Sequence, residues 1–300
     1  MIDEQFDRDC VAAVNRRRLL WAFLPFESAL STLAQARRML DPLEKTDPLA
    51  EAELREQWNV AKENIEPIED LKDPDIRPIP DDSKIREHIE SLTDMAFFQN
   101  TYGELTVDAD FGMVPLEKII ALQGSVVTTA HEDISTIAED SLALIQYAFP
   151  TEREQGYFTQ SIQTENNELL GLQLTSRAPN VSVQNISMHE GERPMERQVV
   201  FTIRAPPNLV NCTIYEDRIY LNNGYHRAFQ LLEAGETHIP AILRESSTFP
   251  SSTGDLPEDI VLSERPPTIP DFATEAATTF RLPATNELIR ITAESTKVFR

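Results

Sequence analysis

The stretch from Arg218 to Leu243, RIYLNNGYHRAFQLLEAGETHIPAIL, constrains the fold more than any other part of the 300-residue chain. Arg218 to Leu221 reads as a short strand of β-branched and aromatic residues. It enters Asn222-Asn223-Gly224, residues that tolerate the positive φ of a tight turn. A helix then starts at Tyr225 or His226 and stops at Gly235, and HIPAIL follows as a strand. This order places Gly224 in a turn between strand and helix, with Leu231, Leu232 and Ile239 buried. The first helical turn presents N–H groups that lack intrahelical acceptors, beside His226 and Arg227. Those groups and a guanidinium fork suit an anion, phosphate above all. The same residues equally suit a structural joint, with Arg227 salt-bridged and His226 hydrogen-bonded to backbone.

The rest of the chain divides by texture. Residues 1–100 read as helical. Leu19, Phe23, Phe26, Leu30 and Leu33 step by three and four, a seam for another helix, with Pro25 as a kink or break. Asp47-Pro48 starts a second helix, carrying Leu54, Trp58, Ala61 and Ile65 on one face. Residues 66–82 hold four prolines and seven acids and form an extended connector. A third helix carries Ile85, Ile89, Leu92 and Ala96. From about residue 101 the pattern turns to short strands and turns. A helix over Ile134 to Ala148 interrupts them, and the strands ELLGLQLTS, VSVQNIS, QVVFTIR, LVNCTIYE and RIYL follow. Residues 246–275, rich in Ser, Thr, Pro and acids, are expected on the surface, and FRLPATNELIRITAES as a closing hairpin. The class is α+β: a helical region over 1–100, a small mixed-sheet domain over 101–245, and a surface segment with a hairpin over 246–300.

The strand, Gly224-Tyr225-His226-Arg227, helix, Gly235 and His238-Ile239-Pro240 resemble the ParB/sulfiredoxin superfamily. The lead-in Val114-Pro115-Leu116-Glu117-Lys118-Ile119 is similar to the superfamily's opening hydrophobic-Pro-Leu-x-x-Ile element. The stretch from Pro207 to Arg244 also resembles bacterial proteins with a Gly-Tyr-His-Arg-Ala box. The resemblance implies a nucleotide-phosphate cradle at Asn223, Gly224, Tyr225, His226 and Arg227, with a nucleoside di- or triphosphate and Mg²⁺ as its ligand: ParB proteins bind CTP, sulfiredoxins use ATP, and a free-serine kinase branch uses ADP. Three departures matter. Tyr225 stands where sulfiredoxin chemistry needs a cysteine, Asn223 where the kinase branch favours an aspartate, and no basic helix-turn-helix follows the domain. Whether any reaction is catalysed stays open.

Charge narrows the partners. Fifty acidic residues against 27 basic ones give a net charge of −23, which repels nucleic acid and anionic lipid. The acidic N-terminus, MIDEQFDRDC, has no signal-like pattern, and no apolar run reaches the ~20 residues of a membrane span, so a cytoplasmic location without membrane contact is expected. Cys10 and Cys212 are too few for a disulfide framework or a four-ligand zinc site. Glu117 is a general base if it faces the cradle and a solvated strand-end acid otherwise. His131-Glu132-Asp133 suits a helix N-terminus better than a metal, and His189-Glu190 has no spaced partner. Tyr215 and Tyr220 can stack on a base or pack in the core. Arg16-Arg17-Arg18 is a solvated face or a partner contact. Two functions compete: a nucleotide-binding or phosphotransfer protein, and a non-catalytic interaction module that binds a protein partner, or itself, through the N-terminal helices.

Overall fold

The computed structural model describes residues 14–40, 48–68, 70–103, 105–128, 134–151, 158–165, 168–176, 182–190, 197–204, 208–250, 254–283 and 287–292. β1 (Val14–Leu19) leads through a 3₁₀ turn at Trp21–Phe23 to α1 (Phe26–Leu40) and α2 (Pro48–Glu63). An extended run with the two-residue β2 (Arg77–Pro78) precedes α3 (Ser83–Thr93), α4 (Ala96–Tyr102) and the one-turn α5 (Val107–Asp110). β3 (Phe111–Pro115), β4 (Ile119–Ala121), β5 (Ser125–Val127), α6 (Ile134–Glu139) and α7 (Ser141–Ala148) follow. Then come β6 (Phe158–Glu165), β7 (Glu168–Ser176), β8 (Ser182–Glu190) and β9 (Arg197–Arg204). β10 (Asn211–Tyr215), β11 (Arg218–Asn223), α8 (Tyr225–Glu233), β12 (His238–Glu245), α9 (Glu258–Val261), β13 (Thr278–Pro283) and β14 (Glu287–Thr292) complete the order. Helices and mixed sheets make the chain α+β.

Two compact units result, Met1–Thr151 with Asn208–Ala284, and Glu152–Pro207 with Thr285–Arg300. The larger unit holds a six-stranded mixed sheet in the order β2-β3-β12-β10-β11-β4. β10 and β11 form an antiparallel hairpin whose turn residues, Glu216 and Asp217, have φ of 50° and 61°, the left-handed pair that a two-residue hairpin turn requires. β12 runs parallel to β10 and antiparallel to β3, and β11 runs parallel to β4. α8 buries Tyr225, Ala228, Phe229, Gln230 and Leu231, and Phe229 meets Phe272 edge to face at 6.1 Å. α3 starts where the Asp82 carboxylate accepts from the N–H groups of Lys84 (2.8 Å) and Ile85 (3.3 Å), a cap of the usual kind. It buries Ile85, Ile89 and Leu92. A second sheet orders β13-β1-β5.

The structure corrects several expectations in this unit. The Leu19–Leu33 seam is not one helix. Leu19 ends β1, which pairs with β13 over six residues, Phe23 lies in the 3₁₀ turn, and α1 begins only after Pro25. The apolar face of α1 is Phe26, Ala29, Leu33 and Ala36, and Leu30 is half-buried. The region over 1–100 therefore contributes β1 and the short β2 as well as helices. Residues 246–275 are not all surface, since Val261, Thr268, Ile269, Asp271 and Phe272 are buried. β13 and β14 exist as expected but join different sheets rather than one hairpin. Leu231 and Ile239 are buried as expected, whereas Leu232 is half-buried at the margin of α8's inward face.

The described elements of the smaller unit are all β-strands. β14, β7 and β6 form one antiparallel sheet and β8 with β9 a hairpin. In the hairpin Ile186 pairs with Phe201 and Met188 with Val199, and Ile186 and Met188 are 62% and 68% exposed. This unit is inserted in the sequence between α7 and β10, so the stretch over 101–245 divides between the two units.

Candidate functional site

The joint between β11 and α8 is built on Gly224. Its φ is +103°, and a Cβ there would lie 2.8 Å from Val210 Cγ2. Glycine is needed both for the left-handed backbone and for the close approach. The Gly224 N–H donates to Asn223 Oδ1 at 2.8 Å, and α8 has no side-chain cap.

The five residues expected to form a cradle diverge from there. Tyr225 turns into the core, 4% exposed. Its hydroxyl accepts from the Leu122 N–H at 3.0 Å and donates to the Leu221 carbonyl, and burial raises its pKa well above the usual tyrosine range. Arg227 also turns inward. Its Nη1 donates to the carbonyls of Tyr147 (3.0 Å) and Ala148 (2.7 Å), and Nη2 donates to the Asn208 carbonyl. The guanidinium thus closes the C-terminal end of α7, where carbonyls lack intrahelical donors and the helix dipole favours a cation. Burial lowers its pKa to about 10, which leaves it charged at neutral pH. His226 alone of the five is exposed, and its Nδ1 accepts from the Val127 N–H at 3.0 Å. Asn223 is half-buried. Arg227 thus has the structural role that the sequence left open, with three main-chain carbonyls in place of an acidic side chain.

The other candidates disperse. Ile119 pairs with Ile219 and Ala121 with Leu221, so Glu117 lies beyond the opposite end of β4 from Gly224 and does not face the turn. Tyr215 and Tyr220 form an aromatic cluster with Phe249, with ring centroids 5.6–6.2 Å apart. Tyr220 is buried, which is packing rather than a stacking platform. Cys212 is buried and its thiol pKa is raised by desolvation. His189 shares a 2.8 Å hydrogen bond with Ser187 Oγ. Arg18 donates from the β1 strand to the carbonyls of Thr274 (2.6 Å) and Ala277 (3.1 Å). Cys10 and His131-Glu132-Asp133 lie outside the described residues. Among the described residues no group of three or more His, Cys, Asp or Glu could hold a metal ion, and no helix is long and apolar enough to cross a membrane.

A feature that strand and helix patterns did not signal lies along α2. A groove of about 470 Å³ has Trp21, Val60 and Ala61 among its lining and carries Glu53, Glu56 and Glu275. It shares Glu275 with a second cavity of about 700 Å³, which Glu63, Glu66 and Glu117 also line. Among the described residues the cation lining this second cavity is Arg265, whose fork is bound bidentately by the Asp271 carboxylate at 2.6 and 2.9 Å. Glu53, Glu56, Gln57, Val60 and Glu63 recur at helical spacing of three and four, which puts them on one side of α2. Its bases lie elsewhere: the Arg55 guanidinium sits 3.9 Å from the Phe26 ring centroid and 3.3 Å from Glu27, and the Lys62 ammonium 4.8 Å from the Trp58 ring centroid. No protein-family model matches the chain, and no curated protein or solved structure matches it.

Proposed function

We infer that the protein is a non-catalytic interaction module, built on an α+β domain of the ParB/sulfiredoxin type and using its N-terminal helices as the contact surface. The domain type is supported by the strand–Gly224–helix–Gly235–strand order and by the parallel pairing of β11 with β4. It is also supported by Pro240 of β12 lying opposite Met113 of β3 in the same mixed sheet. The observation that carries the interaction reading is the use of Arg227. The cradle expected from the sequence uses the guanidinium fork, and here that fork donates to the end of α7 and to the Asn208 carbonyl ahead of β10. The Tyr225 hydroxyl is committed in the same way.

One observation favours a nucleotide ligand as a second reading. α8 opens on Gly224 without a side-chain cap, so its first turn can meet an anion through backbone N–H groups beside the exposed His226. Calorimetric titration with ATP, ADP, CTP and GTP in the presence of Mg²⁺ separates the two. The module reading expects no binding heat at millimolar nucleotide. It is overturned if any of the four binds the wild type and His226→Ala removes that binding at an unchanged melting temperature.

A further inference from the structure

We propose that the groove along α2 docks a basic partner segment, one that places an apolar side chain over Trp21, Val60 and Ala61 and sets lysines or arginines against the carboxylates around it. This rests on the interaction reading above and names the chemistry of the partner.

The floor comes first. Trp21 and Ala61 are almost fully buried beneath the groove, while Val60 on the same helix is 50% exposed. An apolar side chain entering between them removes that valine surface from water. The wall comes second. Glu53, Glu56 and Glu275 are exposed, and among the described residues none of them is in an ion pair. Glu53 and Glu56 are three apart on one helix, where like charges repel. Both bases of α2 that could offset them pack on Phe26 and Trp58 instead. This side of the helix is therefore net negative, and an incoming cation is the group that relieves the repulsion.

The acidic wall continues past Glu275 to Glu63, Glu66 and Glu117, and Arg265, which also lines it, is neutralised by Asp271. Nucleic acid and anionic lipid are excluded as occupants by the sign of this wall. From Glu53 to Glu63 the helix spans about 15 Å at 1.5 Å per residue, which fits a segment of about ten residues in helical form.

The test uses the full-length protein and a fluorescein-labelled synthetic peptide of lysine, leucine and alanine, with its glutamate-for-lysine counterpart as control, followed by fluorescence anisotropy. The lysine peptide is expected to bind and the glutamate peptide not to. Exposed ion pairs each contribute a factor of about 1.5 to 5, so Glu53→Gln, Glu56→Gln and Glu275→Gln together should weaken binding about tenfold. Val60→Arg should weaken it as well, by filling the floor with a like charge. Circular dichroism melts check that these surface variants fold as the wild type does.

General attraction to an acidic protein is separated by a second triple variant of equal charge, Glu87→Gln, Glu90→Gln and Asp94→Asn, all exposed on or beside α3. It should leave the affinity within about twofold of wild type, the range of surface electrostatics at a distance in salt. The proposal is overturned if both triple variants weaken binding equally, if the groove variants leave it unchanged, or if the lysine peptide does not bind. A nucleotide result bears on the module reading alone, so the two can fail separately.

Discussion

Replacing Arg227 with alanine removes three hydrogen bonds from one half-buried cation and should cost the larger unit about 3 kcal/mol. The magnitude follows from what each acceptor has left. The Ala148 carbonyl still accepts from the Val210 N–H at 3.1 Å, so its loss is small. The carbonyls of Tyr147 and Asn208 lose their guanidinium donor, and an unsatisfied buried polar group costs about 1–3 kcal/mol, about 2–6 for the pair. Part is returned because a buried charge is gone, and the lowering of the Arg227 pKa to about 10 reflects that desolvation burden. A remainder of about 3 kcal/mol in a unit of this size lowers the melting temperature by about 6–12 °C. Arg227→Lys keeps the charge, but one ammonium cannot reproduce the planar fork across α7 and residue 208, so it should fall between the two. Scanning calorimetry of the three proteins at neutral pH checks the order. A melting temperature for the alanine variant within about 2 °C of wild type would show that the guanidinium does not hold α7, and would refute the structural assignment.

Three further outcomes follow from the same neighbourhood. Gly224→Ala should destabilise by about 2–3 kcal/mol in urea unfolding, because alanine at φ +103° is strained and its Cβ meets Val210 at 2.8 Å; an unchanged midpoint would be inconsistent with this joint. Asp271→Asn should cost about 3–5 kcal/mol, since it leaves the Arg265 guanidinium without its bidentate carboxylate and removes an acceptor for the Thr268 N–H at 2.7 Å. Tyr147 donates to Gln230 Oε1 at 2.6 Å, and burial pushes its pKa up to about 12. The unfolded chain ionises this tyrosine near its ordinary value, about 10, so its contribution is intact below that pH and is lost as pH rises toward 12. Tyr147→Phe should therefore flatten the fall of stability across that window, and a parallel pH profile for the variant would disprove the assignment.

The strand–turn–helix joint was legible because its signals are local. Asn-Asn-Gly marks the turn, Gly235 ends the helix, and the 3–4 spacing of apolar residues sets the inward face of α8. The direction of Arg227 was not legible, since its acceptors come from residues 147, 148 and 208, which only the tertiary fold brings together. β1 is not legible as a strand for a related reason. A six-residue strand with Arg16, Arg17 and Arg18 in its middle has little apolar alternation, and its identity comes from pairing with β13, more than 250 residues later in the chain. The final strands are legible individually, but proximity in sequence suggests a hairpin between them, and their long-range sheet partners override it. The groove along α2 is not legible in the sequence because the apolar stripe of a helix marks the face it buries, whereas the glutamates lie on another side.

Net charge is unevenly shared, and this changes what composition implies. The smaller unit carries nine acidic and eight basic residues, so nearly the whole excess of −23 belongs to the larger one. Repulsion of phosphate-rich partners is therefore a property of the larger unit and is weak for the β unit. Within the larger unit the charge is again segregated, because α2 turns its two bases onto aromatic rings and leaves glutamates along the groove. Surface charge spread evenly would serve solubility alone. Charge gathered around a groove that exposes Val60 sets both the sign and the position of a contact, and the matched pair of triple variants tests that distinction.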